Sequence, residues 1–131
     1  MEQQAEQLKQ AADLLARISP TIALPGREPL TYAIFCAVEL FRQDPPPEVV
    51  RVTEMVYVPA AKMLGKDVST IVKASARALK CCWMDGRNRQ LNAIIGTELP
   101  ACPSIKEFVL CCGYYLAFKI PYYKTMSSIM F

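Results

Sequence analysis

The sequence predicts an all-α protein: a compact multi-helix domain of about six helices that contains a helix-turn-helix, with one extra helix at the N-terminus. Apolar residues recur at three- and four-residue spacing in several separate stretches, as helices with one buried face require. Proline and glycine clusters divide those stretches from one another. Residues 59–83, PAAKMLGKDVSTIVKASARALKCCW, have the layout of two helices about a glycine turn. A chain of 131 residues suits one domain, and a hydrophobic fraction of 53% is enough to close a core.

Taken in order, residues 2–18 are rich in Glu, Gln, Ala and Leu, with Leu8, Ala12, Leu15 and Ile18 at helical spacing, before a stop at Ser19 and Pro20. Residues 1–20 thus form an amphipathic helix whose stripe lies either on the domain or against a second copy. A loop over residues 21–29 leads into a helix with Leu30, Ile34, Ala37, Val38 and Phe41 on one face. That helix must end before Asp44, Pro45, Pro46 and Pro47, because proline lacks the N–H that continues a helix. Pro47 suits the first turn of a following helix carrying Val49, Val52, Met55 and Val56, which Val58 and Pro59 are expected to break.

In the helix-turn-helix layout, a small residue in the first helix lets the second approach, a turn residue follows four positions on, and two positions of the second helix face back. Ala61, Gly65, Ile71 and Ala74 occupy these places. Gly65 can take the positive φ of a sharp exit, and Asp67 can cap the next helix. The long helix 68–84 then carries Ser69, Val72 and Lys73 away from the core, on the face that enters the major groove in proteins of this layout.

Beyond it, Gly86 suits a left-handed cap, residues 87–95 form a short helix with Leu91, Ile94 and Ile95 inward, and Gly96 ends it. Ser104 and Glu107 make a capping box that opens a final helix with Ile105, Phe108, Val109, Cys112 and Leu116 inward, stopping near Pro121. Residues 121–131 are an apolar tail, expected to pack on the domain or on a partner.

Charge is uneven along the chain. Residues 60–89 hold seven basic residues against two acidic ones, a net of +5, while the rest carries −2. Positive charge thus gathers around the second helix of the pair, where phosphates would lie. The candidate DNA-binding residues are Lys66, Ser69, Thr70, Val72, Lys73, Arg77, Lys80, Arg87 and Arg89.

The order Val52, Thr53, Tyr57 with a nearby proline, Ala61, Lys62, Ser69, Ala74, Ala78, Trp83, Gly86 and Gly96 resembles the C-terminal effector domain of the Spo0A family of sporulation response regulators. The likeness extends through Leu24 and Pro25 upstream and through Pro103, Glu107 and Phe108 downstream, covering residues 21–118. It implies that residues 21–120 form an all-helical domain that binds double-stranded DNA through the second helix of the motif, as a homodimer or as tandem copies on a repeated site. A related full-length regulator is a further partner to expect. Three departures stand out: the proline after Tyr57 lies one residue late, the loop 97–103 is short, and the family's adjacent acidic and arginine base readers are Val72 and Lys73 here. The family's phosphoacceptor domain lies upstream of its effector, and the residues before position 21 are too few to form one, so control by that route is not expected of this chain.

Other functions find little support. The six cysteines include the adjacent pairs Cys81 and Cys82, and Cys111 and Cys112, yet neighbours on a helix point about 100° apart, and zinc sites favour a two-residue spacer. With no histidine in the chain, no metal and no cofactor is expected, and the cysteines are read as small core fillers in a reducing compartment. No nucleophile-base pair or glycine-rich phosphate loop is present, so no catalytic residue is assigned. With no apolar leader and no long apolar run, a cytoplasmic protein with no membrane partner is expected. Two readings remain: a DNA-binding transcriptional regulator, and a degenerate effector-like domain that serves as a protein-interaction module.

Overall fold

Helix α2, Arg27–Arg42, runs through the middle of the protein, and its composition explains why. Leu30, Ala33, Ile34, Ala37 and Val38 are almost wholly buried, and Phe35, Cys36 and Leu40 on the remaining sides are nearly so. A helix apolar around most of its circumference must be covered on several sides at once. The covering elements are α1 (Glu2–Ile18), α3 (Val58–Leu64), α4 (Val68–Met84) and α6 (Ile105–Phe118), with α5 (Asn88–Ile95) bridging α1 and α6. This computed structural model describes residues 2–18, 26–84 and 88–122; among them every regular element is helical, as the sequence predicts. The stop at Ser19 and Pro20, the cap at Gly86 and residues 123–131 of the tail lie outside the described residues.

The stripe of α1 lies against α2 and α5. Its buried residues are Gln7, Ala11, Leu14, Leu15 and Ile18, so the face is turned slightly from the expected Leu8, Ala12, Leu15 and Ile18 line, and Leu8 and Ala12 sit at its edge. Of the two placements open to that stripe, the domain's own core is the one observed.

The expected break at Val58 and Pro59 does not occur. A π-helical turn, Thr53–Tyr57, feeds straight into α3, and Val58 itself is helical at φ −63°, ψ −48°. The Val58 N–H reaches back five residues to the Thr53 carbonyl. Widening the ring by one residue just before a proline relieves the crowding that the pyrrolidine would cause against an ordinary α-helical turn. Upstream of it, Pro47–Val49 is a single 3₁₀ turn in place of the expected helix start.

Two glycines mark where backbones nearly touch. A Cβ on Gly113 of α6 would stand 2.5 Å from the Ala37 Cβ and 3.0 Å from the Ala37 carbonyl carbon, so α2 and α6 cross with almost nothing between them. Gly26, at φ 77° just before α2, abuts the Ala74 carbonyl of α4, where any side chain would collide. The Gly26 contact fixes how the helix that carries the candidate site meets the start of α2.

Candidate nucleic-acid interface

The glycine exit between α3 and α4 is built as its sequence suggests. Gly65 stands at φ 64°, ψ 37°, a left-handed conformation that costs other residues about 1–2 kcal/mol. The Lys66 N–H donates to the Ala61 carbonyl at 3.0 Å and the Gly65 N–H to the Lys62 carbonyl at 3.4 Å, the bonding of a Schellman C-terminus. Ala60 and Ala61 are buried, and being small they let α4 close on α3. Asp67 stands at the start of α4, where its backbone carbonyl accepts from the Ile71 N–H at 3.1 Å.

Helix α4 has two distinct arcs. Ile71, Ser75, Ala78, Leu79 and Cys82 are buried. With 3.6 residues per turn these positions fall within one third of the circumference. Opposite them, Ser69, Thr70, Lys73, Ala76, Arg77 and Lys80 are all exposed, and Lys66 extends the cationic row into the turn. The structure therefore brings Lys66, Ser69, Thr70, Lys73, Arg77 and Lys80 to one side of one helix. Val72 belongs to neither arc: half-buried and packed against the core, it is one position from Ile71, which is fully buried, and one from exposed Lys73. Arg87 and the Arg89 side chain lie outside the described residues. Trp83, the last residue but one of α4, is only partly buried against the core.

Ala76 was missed by sequence reasoning, because a methyl group carries no chemical signal and only the position of the exposed arc reveals it. It lies at one edge of that arc, beside Lys80 and Lys73. Lys80 also acts on the loop before α6: burial pushes the Cys102 thiol up from its ordinary range, and the Lys80 ammonium pulls it partly back.

The other cysteines have a different environment. Burial, with the Glu39 carboxylate adding to it, pushes the Cys36 thiol up to about 12, and burial with Glu107 does the same at Cys111. Cys112 is shifted upward too, chiefly by burial and then by Cys111 and Cys82. Thiols held neutral in this way pack as small apolar groups and resist ionisation to the thiolate that metals and oxidants need. Among the described residues no three His, Cys, Asp or Glu side chains converge where a metal ion could be held. Nor is any described helix long and apolar enough to cross a membrane.

Comparison with known proteins finds no matching family model, no matching curated protein and no matching solved structure.

Proposed function

We propose that the protein is a sequence-specific DNA-binding transcriptional regulator of the sporulation-effector type, reading the major groove with the 68–84 helix. The observation that carries the reading is the exposed arc of α4, where Ser69, Thr70, Lys73, Arg77 and Lys80 lie along one side of the second helix of a glycine-turned pair. Lys66, Arg77 and Lys80 would neutralise phosphates, and Lys73 and Ser69 would reach base edges or the backbone. Lysine at position 73 keeps the charge of an arginine reader but loses the fork that suits guanine. Val72 offers only a methyl-to-methyl contact, which favours thymine over cytosine at its position.

The test is a titration of mixed-sequence duplex at several salt concentrations. Log affinity should fall with log salt, and Lys73→Ala and Arg77→Ala should each reduce the slope by about 0.9 if each cation neutralises one phosphate. Absence of binding to any duplex at low salt would leave the second reading, a protein-interaction module derived from such a domain. That alternative is favoured by one observation: Val72, at a position where the family places a base reader, is half-buried against the core and does not stand fully free.

A further inference from the structure

A groove of about 800 Å³ lies between the C-terminal part of α2 and the outer side of α6, and no α4 residue lines it. Its apolar walls are Phe41, Val50, Leu110, Tyr114, Phe118 and Tyr122. The rings form a continuous cluster: Phe41 meets Tyr114 edge-on at 5.4 Å, Tyr114 meets Phe118 at 4.7 Å, and Tyr122 meets Tyr114 edge-on at 5.2 Å. A volume of this size falls within the roughly 300–1,000 Å³ range of pockets that take a small organic ligand, where apolar walls are paired with a few polar groups that set its orientation. Here the polar groups are the carboxylates of Asp44 and Glu107, the ammonium of Lys106 and the Ser104 hydroxyl.

We infer that this groove is a binding site for a small organic cation, an ammonium group carried on an aryl or alkyl body. Charge decides the sign of the ligand. Two carboxylates against one ammonium leave the lining at −1, on a chain whose overall charge is +3. Lys106 is exposed, where solvent screens its charge, whereas Glu107 is half-buried. The rings add to the preference, since an aromatic face attracts a cation and not an anion. An anion would instead seek the positively polarised start of α6 beside Ser104. That end is already engaged: the Ser104 hydroxyl accepts from the Glu107 N–H at 3.1 Å, and the Glu107 carboxylate stands in the same first turn. The body of the ligand lies along Leu110, Tyr114 and Phe118, which recur every four residues on the outer side of α6. Phe118, still 42% exposed, has contact area left to give.

The experiment titrates the full chain with phenylbutylamine, phenylbutanol and phenylbutyrate, which share one body and differ in the charge of the end group. The amine should saturate with a Kd of about 1 mM or tighter, at least about tenfold tighter than the alcohol or the carboxylate. Its binding should shift the ring resonances of Tyr114 and Phe118. Asp44→Asn with Glu107→Gln should bring the amine to the affinity of the alcohol and leave the alcohol unchanged. The parent alone supplies the ranking and the shifts, so the test stands even where the variant folds poorly. Equal affinity for the three probes, tighter binding of the carboxylate, or an amine preference that survives the double variant overturns the proposal. Shifts confined to other residues, or no saturation by any probe, also overturn it; in the last case a sedimentation coefficient that rises with protein concentration would assign the groove to a second copy.

Discussion

Replacing Gly113 by alanine sets two opposed effects against each other. In an exposed helix interior the change would stabilise by roughly 1 kcal/mol, because glycine loses more backbone freedom on folding. Here the new methyl would lie 2.5 Å from the Ala37 Cβ, 3.0 Å from the Ala37 carbonyl carbon and 3.2 Å from the Val38 nitrogen. Carbon atoms pack best at about 3.5–4.0 Å, so α2 and α6 would have to part by close to an ångström. The obstacle is helix backbone, which cannot rotate aside as a side chain could. Overpacking costs about 1–3 kcal/mol, and the upper end applies because α2 also packs against α1, α3 and α4. Subtracting the propensity gain leaves a net loss of about 2 kcal/mol, or a fall in Tm of about 8 °C for a domain of this size. Urea unfolding of Gly113→Ala, of Ala37→Gly and of the pair would measure it. The double variant should recover part of the loss as a favourable coupling, since only the Cβ–Cβ clash is relieved. A Gly113→Ala protein as stable as the parent would mean that the two helices do not cross this closely.

Ser75 is fully buried on α4 and its hydroxyl has no hydrogen-bond partner among the described residues, so Ser75→Ala should raise stability by about 1 kcal/mol in urea unfolding. Alkaline pH should destabilise the fold: Cys36 and Cys111 titrate near 9 when unfolded and near 12 when folded, so between those values the unfolded chain has released protons that the native state retains. The urea midpoint should therefore fall as pH rises above about 9, and Cys36→Ala with Cys111→Ala should flatten that fall. Deleting residues 2–18 uncovers the sites of Leu14, Leu15 and Ile18, each contributing roughly 1.5–3 kcal/mol, and should abolish cooperative unfolding. An altered sedimentation coefficient with stability unchanged would instead make α1 a contact between copies.

Features set by neighbours in sequence were readable in advance. The bounds of the 68–84 helix, the left-handed Gly65 and the Ser104 cap, whose hydroxyl accepts from the Glu107 N–H at 3.1 Å, depend on a few adjacent residues. The inward positions Leu30, Ile34, Ala37 and Val38 of α2 were readable for the same reason, as periodicity reports burial when one face dominates, whereas Phe41, expected with them, is only half-buried. Periodicity could not report that Phe35, Cys36 and Leu40 are buried too, because that depends on which elements arrive from elsewhere. The contacts of Gly26 with Ala74 and of Gly113 with Ala37 join residues far apart in the chain and leave no local trace. Pro59 was misread because proline usually ends a helix, and the π-helical turn that absorbs it has no composition of its own. On α4, periodicity identified the exposed cations but not the marginal position of Val72.

That π-helical turn has a bearing on chain length. A π turn holds one residue more than the α turn it replaces, and its two ends stay aligned with the helices on either side. Excising Glu54, which is exposed, would turn Thr53–Tyr57 into a plain α turn without rotating Ala60 and Ala61 away from α4. The segment can thus lose one residue while the glycine turn beyond it stays in place. Among related domains, a single-residue deletion should be found more readily here than anywhere else between α2 and α4.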